Sequence, residues 1–127
     1  MTDVYYFRNE EDHELYIYGH AGYDSEGKDI VCSAVSSLGW ALIGFLENNA
    51  NDTSEYAHLT DSGKLAVCAC SSPGVDAAYS MAVIGLRQIA KKYPDYVRFH
   101  TLPHSFEADD LGERPCMTCG KGHEKGA

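Results

Sequence analysis

Apolar residues along this chain switch between two spacings, and the order of the switches restricts the folds it can adopt. In residues 14–20 they alternate with polar ones, as in a half-buried strand. Residues 3–8 are rich in strand formers, and the turn residues 9–12 between the two segments predict a β-hairpin. Over residues 29–49 the apolar residues recur every three or four positions, which predicts an amphipathic helix. Its stripe consists of Val31, Val35, Leu38, Leu42, Phe45 and Leu46.

The same succession then repeats. Residues 55–60 and 64–70 are strand candidates, and Asp61-Ser62-Gly63 between them is a second hairpin signal. Ser72-Pro73 provides an N-cap and a first helical residue for a second helix. Residues 95–102 alternate as a last strand. The second helical stripe consists of Ala78, Ala82, Leu86, Ile89 and Tyr93.

The predicted element order is ββαββαβ. Because each helix has a single apolar stripe, we expect both helices on one face of a mostly antiparallel or mixed sheet. The fold class is therefore α+β, a two-layer sandwich. A length of 127 residues fits one domain. Since the periodic pattern ends near residue 104, we expect a single domain over residues 1–104 and a mobile C-terminal tail over residues 105–127.

Neither a targeting segment nor a membrane span is predicted. The N-terminus, Met1-Thr2-Asp3, is acidic, and no apolar stretch follows it. The longest apolar run, residues 40–46, is far shorter than the roughly 20 residues that a membrane span needs. We therefore expect a cytoplasmic protein without a membrane partner, in a compartment that keeps thiols reduced.

The charge is negative and unevenly distributed. The chain has a formal net charge of −9. Residues 1–63 contain 12 acidic side chains and only Arg8 and Lys28, which gives this half a charge of −10. Such a balance argues against direct nucleic-acid binding, which needs clustered cations facing phosphates. Two interpretations of the acidic half stay open, solubility and attraction of a basic partner.

One cysteine and one histidine are placed where they can react together. His20 follows the second predicted strand, and Cys32 lies in the first turn of the first predicted helix. Unpaired N–H groups at a helix N-terminus favour a thiolate and can stabilise an oxyanion, and an imidazole nearby can accept and return a proton. Asp29 is either the N-cap or a partner that orients His20. The alternative is structural, since a cysteine at the base of a helix is often a small core residue.

The residues around this pair carry a longer pattern. Gly19-His20 is followed by the loop 21–28, then by Asp29-Ile30-Val31-Cys32, then by the small residues and Ser in 33–36. This block resembles the signature of the ribosomal-processing cysteine protease family, often called Prp. The similarity extends less sharply to about residue 102.

The resemblance implies a fold, an activity and a partner. Members are small cytoplasmic cysteine endopeptidases, usually homodimeric, that act without a cofactor. Each removes a short N-terminal extension from the precursor of one large-subunit ribosomal protein, the twenty-seventh in the bacterial numbering. That extension is apolar and aromatic before the cut, and a basic segment follows, which fits the acidic half of this chain. The site residues implied are Cys32 as nucleophile and His20 as base, with Asp29 and Ser36 in support.

A second cysteine motif lies in the tail. Cys116-x-x-Cys119 and His123 provide three potential zinc ligands, and His100 or His104 offers a fourth. The alternatives to a zinc site in the tail are a redox-active cysteine pair and an inert tail. For the protease site itself we predict no metal. The alternative function is a non-enzymatic ribosome-associated or zinc-binding module.

Overall fold

A computed structural model of the chain describes residues 1–25, 28–49 and 56–103. It contains the ββαββαβ order that the spacing predicts, so this prediction is confirmed. The tail 105–127 lies outside the described residues. The elements are β1 (Thr2–Arg8), β2 (Asp12–Tyr18), α1 (Ile30–Asn48), β3 (Tyr56–Asp61), β4 (Lys64–Cys70), α2 (Pro73–Lys92) and β5 (Val97–Thr101).

The five described strands form one mixed sheet in the order β3-β4-β2-β1-β5. Both hairpins pair antiparallel, and β2 pairs antiparallel with β4, with Leu15 opposite Val67. β5 pairs parallel with β1 because α2 carries the chain from β4 across the sheet to its other edge. The prediction of a mostly antiparallel or mixed sheet is confirmed.

Both helices pack on one face of the sheet, as predicted. A single core joins the helix-facing side chains of the strands to the apolar stripes of α1 and α2. Gly39 on α1 lets the helix approach the sheet, because a Cβ there would lie 2.7 Å from a methyl group of Leu65. The fully buried members are Val4, Leu15, Val31, Val35, Ile43, Leu46, Val67, Ala69, Val75, Tyr79, Leu86 and Val97.

Local signals in the sequence set the helix ends. Asp29 caps α1 and Ser72 caps α2, each with its side chain accepting from a backbone N–H three residues on. Lys91 and Lys92 end α2, where cations suit the helix dipole. Helix α1 is by length and composition apolar enough to cross a membrane. That composition is also expected here because α1 packs on both the sheet and α2.

The opposite face of the sheet, which we call the helix-free face, is also buried along its central strands. Tyr16, Ala66 and Cys68 are 0% exposed, although neither helix lies on this side. Leu102, just after β5, packs against Tyr16 and Ala66. Of the cysteines in the described ranges, Cys32 is a half-buried free thiol, Cys68 is disulfide-bonded and Cys70 is buried.

Candidate active site

Asp29 fixes the start of α1 and the position of Cys32. Its Oδ1 accepts a 2.8 Å hydrogen bond from the Cys32 N–H, and its Oδ2 accepts a 3.0 Å bond from the Tyr23 N–H. Burial raises the pKa of this carboxyl, but the backbone donors, led by Cys32 and Tyr23, outweigh it and hold the pKa below its ordinary value. The ionised carboxylate therefore ties the preceding loop to the first turn of the helix.

This arrangement changes two expectations about the first turn. Both carboxylate oxygens of Asp29 are occupied by backbone N–H groups, so Asp29 acts as the N-cap and does not orient His20. The Cys32 N–H bonds the Asp29 side chain, and the Ser33 N–H bonds the Asp29 carbonyl at 3.0 Å. These two donors are not free to bind an oxyanion, contrary to the expectation.

His20 is positioned by close backbone contacts. β2 ends at Tyr18, two residues earlier than the predicted strand 14–20, because Gly19 adopts a φ of 93° and turns the chain. The Gly19 N–H donates to the Gly63 carbonyl at 2.7 Å, and the Met1 ammonium donates to the His20 carbonyl at 2.7 Å. A Cβ added at Gly63 would lie 2.9 Å from His20 Nε2, so the imidazole rests against this turn.

Cys32 and His20 line the same cleft. Cys32, Ser36 and Trp40 recur every four residues along α1 and form one wall. The β3–β4 turn, residues 60–64, forms the facing wall together with His20. The cleft has a volume of about 110 Å³ and is open to solvent. The structure thus brings together Cys32, His20 and Ser36, three of the predicted site residues, while Asp29 lies behind them.

The thiol and the imidazole are both available in this cleft. Cys32 is half-buried and His20 is exposed. Within the described ranges, the His20 ring makes no hydrogen bond, and none joins it to the Cys32 thiol. An accessible thiol and an unengaged imidazole in one cleft are the components of a cysteine hydrolase, in which the two groups align when substrate binds.

Sequence reasoning missed two parts of this cleft. Trp40 is 55% exposed beside the site, and its four-residue spacing from Ser36 was a signal that could have identified it. The β3–β4 turn gave no local signal of its role, because its approach to His20 depends on the pairing of β2 with β4. Asp61 and Lys64 bring one charge of each sign to this wall.

The predicted zinc ligands remain separate from this site. Cys116, Cys119, His104 and His123 lie outside the described residues. His100 stacks on Tyr5 with ring centroids 4.6 Å apart, and its Nε2 lies 3.0 Å from Asp3 Oδ1. Within the described part of the chain, no three His, Cys, Asp or Glu side chains are grouped to hold a metal ion.

Known proteins share this sequence pattern and fold. The family model described as cysteine protease Prp matches residues 1–98. The ribosomal processing cysteine protease Prp of Mycoplasma genitalium is 32% identical over 79 residues, which cover 62% of this chain and 78% of the relative.

Two solved structures resemble the fold. The ribosomal processing protease Prp of S. aureus, in complex with a covalently linked product peptide, superposes with a TM-score of 0.70 at 19% identity, covering 80% of this chain and 100% of that one. A protein of Streptococcus mutans superposes with a TM-score of 0.60 at 27% identity, covering 80% of this chain and 94% of that one.

The family match and the M. genitalium relative agree with the cleft geometry. The chain belongs to the cysteine protease Prp family and is a cysteine protease.

Proposed function

We propose that this protein removes a short N-terminal extension from the precursor of a large-subunit ribosomal protein, the twenty-seventh in the bacterial numbering, with Cys32 and His20 as its catalytic dyad. The observation that carries the proposal is the shared cleft, in which the Cys32 thiol and the unengaged His20 ring line one solvent-open space. The M. genitalium relative is a ribosomal processing protease, which supports this class of substrate.

The chemistry follows from the two side chains. His20 accepts the thiol proton, and the Cys32 thiolate attacks the carbonyl carbon of the scissile bond. The tetrahedral intermediate collapses as His20 returns the proton to the amine, which leaves with the mature protein. The extension remains on Cys32 as a thioester. His20 then takes a proton from water, hydroxide adds to the thioester carbonyl, and the extension is released as a carboxylate with Cys32 restored.

Ser36 is the donor that we propose for the oxyanion. The N–H groups of Cys32 and Ser33 are bonded to Asp29, so another donor must face the developing charge. Ser36 lies one helical turn beyond Cys32 and lines the same cleft. In this proposal its hydroxyl group donates to the carbonyl oxygen of the bound peptide as that oxygen becomes negative.

The substrate chemistry fits the surface around the cleft. Trp40 offers an exposed aromatic face for an apolar or aromatic residue of the extension. The acidic N-terminal half, with Asp61 at the cleft, attracts the basic segment that follows the cut. Ribosomal precursors are made in the cytoplasm, so we propose that location for the protease. We propose neither a nucleic-acid nor a membrane partner, and no cofactor.

We also propose that the protein is a homodimer. An apolar groove of about 330 Å³ lies between α1 and α2, lined by Leu38, Phe45 and Met81 among others. Met81 is 75% exposed and Ile84 on the same helix is 56% exposed. A second copy would cover this patch. Sedimentation should give a dimer mass that Met81→Glu lowers to a monomer, whereas a monomeric wild-type protein would contradict the proposal.

The decisive experiment is cleavage of the precursor protein, followed by mass spectrometry of both products. We expect wild-type protein to release one N-terminal fragment, and Cys32→Ala and His20→Ala to lower kcat/KM by at least about 10³-fold. Ser33→Ala is the matched control, because Ser33 is exposed on the same turn of α1. Its rate should equal that of wild type, and all variants should retain the wild-type circular dichroism.

The same assay tests the alternative function. A non-enzymatic module that holds the ribosomal protein would bind the precursor but leave it intact. If Cys32→Ala cleaves at a rate near that of wild type, the dyad proposal is wrong.

A further inference from the structure

Two arginines meet in a pocket that shares no residue with the catalytic cleft. The pocket lies between α2 and β1 and has a volume of about 330 Å³. Arg8 is one of only two basic residues in residues 1–63, so a second arginine in the same pocket is unexpected for so acidic a chain. The lining residues are Tyr6, Arg8, Ser80, Val83, Ile84 and Arg87.

The spacing along α2 places its polar contributors on one face of the helix. Ser80, Ile84 and Arg87 recur at steps of four and three, as neighbouring side chains on a helix do. Asp76, one turn before Ser80, belongs to the same stripe, and its Oδ2 lies 3.6 Å from a guanidinium nitrogen of Arg8. This contact holds the Arg8 side chain against α2 at one end of the pocket.

Arg87 is held by two other contacts. Its guanidinium carbon lies 4.7 Å from the centre of the Phe99 ring, and one of its nitrogens donates to Thr101 Oγ1 at 3.1 Å. Thr101 pairs with Tyr6 on β1, and Arg8 lies two residues beyond Tyr6, a strand rise of about 7 Å. Both guanidiniums are therefore within reach of one ligand, and each is already oriented by the protein.

The two arginines keep donors for a ligand. A guanidinium has five N–H groups in a planar fork. Among the contacts of the described residues, the Arg8–Asp76 pair at 3.6 Å is longer than a hydrogen bond, and Arg87 uses one nitrogen on Thr101. Ser80 adds an exposed hydroxyl. The pocket thus offers two positive charges and several donors to one anion.

The rest of the pocket is apolar. Val83 and Ile84 line it from α2, and Tyr6 lines it from β1. The Tyr6 hydroxyl lies 2.7 Å from Nδ1 of the buried His13, so we assign the ring of Tyr6, and not its hydroxyl, to the ligand. Small-molecule sites begin at volumes of about 300 Å³, so this pocket has room for an organic group attached to the anion.

We propose that this pocket binds a small organic phosphate. The two arginines and Ser80 donate to the phosphate group, and the apolar wall contacts the organic part. Arginine forks match the oxygens of a phosphate, and a dianion gains more from two guanidiniums than a singly charged carboxylate does. The net charge of −9 repels a polyanion such as nucleic acid, so the ligand is a small molecule. The inference does not rest on the proposed function.

Phenyl phosphate is the probe, and the backbone amide NMR signals of the full-length chain report its binding. At pH 7.5 and constant ionic strength we expect saturable shifts, centred on Ser80, Ile84 and Arg87, with a dissociation constant below about 5 mM. Inorganic phosphate lacks the organic part, and benzoate lacks the second negative charge. Each should therefore bind at least about fivefold more weakly than phenyl phosphate.

Arg8→Gln and Arg87→Gln should each raise the dissociation constant for phenyl phosphate at least about tenfold, because each removes a charge-assisted hydrogen-bond donor. Arg98→Gln is the matched control, since Arg98 is an exposed arginine on β5 that does not line the pocket. It should bind as wild type does. Because Ile84 also borders the apolar patch around Met81, the titration is repeated on Met81→Glu, which should bind equally well.

Three results would overturn the proposal. A wild-type chain without saturable shifts up to about 5 mM phenyl phosphate would have no such site. Wild-type affinity in both Arg8→Gln and Arg87→Gln would place the ligand elsewhere. Benzoate or inorganic phosphate that binds as tightly as phenyl phosphate would exclude an organic phosphate as the ligand. Cleavage does not enter these measurements, so this site and the protease activity can fail independently.

Discussion

At the scale of single residues, Asp29 shows what the sequence could and could not predict. A carboxylate three residues before Cys32 is a local N-cap signal, and the structure confirms it. Whether that carboxylate also meets His20 depends on the path of the loop before it. There the Tyr23 N–H takes the second oxygen, so Asp29 contributes to the position of Cys32 and leaves His20 unengaged. Because the Cys32 N–H is bonded to Asp29, we propose Ser36 as the oxyanion donor.

We predict that Ser36→Ala lowers kcat with little change in KM. A donor that faces charge only in the transition state contributes to kcat, and the loss of one such donor costs about 10²–10³-fold. Steady-state kinetics on a precursor peptide measures the split. Ser37→Ala is the control, because Ser37 is exposed on the neighbouring position of α1 and does not line the cleft. A Ser36→Ala enzyme with wild-type kcat would show that the oxyanion is held elsewhere.

A buried histidine on the helix-facing side affects stability rather than catalysis. His13 Nε2 lies 2.7 Å from Asp76 Oδ1, and His13 Nδ1 lies 2.7 Å from the Tyr6 hydroxyl. The His13 ring stacks on Tyr79 with centroids 4.5 Å apart, and Arg8 lies 3.6 Å from the other Asp76 oxygen. Burial lowers the pKa of His13 by more than the hydrogen-bonded Asp76 carboxylate raises it. The pKa of His13 therefore lies below its ordinary value. The neutral ring then donates to Asp76 and accepts from Tyr6.

We therefore predict that acid destabilises the fold through His13. Its folded pKa lies below the unfolded value of about 6.5, so below that pH the unfolded chain binds a proton that the folded chain does not. The free energy of unfolding falls as pH drops through this window, by at most about 1.4 kcal/mol per pH unit.

Urea unfolding at pH 7.0, 6.0 and 5.5 measures this slope. His13→Gln should be less stable at pH 7 but should show a shallower slope than wild type over that range. His58→Gln is the control, because His58 pairs with Glu47 at the surface. Equal slopes for wild type and His13→Gln would contradict the assignment.

At the scale of elements, the sequence predicts what is local. The spacing of apolar residues and the turn residues predict the two hairpins and both helices. Each of these elements depends on residues that lie only a few positions apart. The strand order could not be read in this way. β1 pairs with β2 and with the last strand, and the β3–β4 turn reaches His20 only because β4 pairs with β2. These long-range pairings assemble the facing wall of the cleft.

The β3–β4 turn gives an element-scale prediction. Gly63 has a φ of 68°, and a Cβ there would meet His20 Nε2 at 2.9 Å. Gly22 has a similar φ of 73° but has no atom within 4 Å of such a Cβ. Both Gly→Ala variants therefore pay the same kind of backbone cost, of about 1 kcal/mol, while only Gly63→Ala displaces the imidazole.

Cleavage kinetics and thermal midpoints together test this pair. Gly63→Ala should lower kcat at least about tenfold, since a small displacement of a catalytic group is costly. Gly22→Ala should lower the thermal midpoint to an extent similar to that of Gly63→Ala, but it should retain most of the wild-type cleavage activity. Equal activities in the two variants would mean that the turn does not hold His20.

At the scale of the whole molecule, the two faces of the sheet differ in the residues that they carry. The candidate cleft uses α1 and the edge of the sheet on the helix side. The cysteine pair lies on the helix-free face. The sequence predicts a domain complete at residue 104 because its periodic pattern ends there. The alternation of residues along a strand shows which side chains share a face. It does not show that the polar and small side chains of the helix-free face, such as Cys68, are also buried.

We predict that a chain ending at Pro103 folds and cleaves. It keeps the residues that line the cleft, and it keeps Leu102, which packs against Tyr16 and Ala66. The thermal midpoint should change by less than about 4 °C, since about 1 kcal/mol shifts a domain of this size by about 4–8 °C. At 25 °C the cleavage rate should stay within about twofold of wild type. A truncated chain that cannot cleave would place the domain boundary beyond residue 104.

The uneven charge of the whole molecule should appear in the salt dependence of cleavage. Residues 1–63 carry −10, and a precursor with a basic segment after the cut is attracted over several ångströms before it binds. Salt shortens that range, from about 30 Å at 0.01 M to about 8 Å at 0.15 M. We therefore expect kcat/KM for a basic precursor peptide to fall roughly tenfold or more between these ionic strengths, through KM, with kcat nearly constant. A peptide in which glutamine replaces each lysine and arginine after the cut is the control, and its kcat/KM should change less than about twofold. If both peptides respond equally to salt, the acidic half serves solubility and does not attract the substrate.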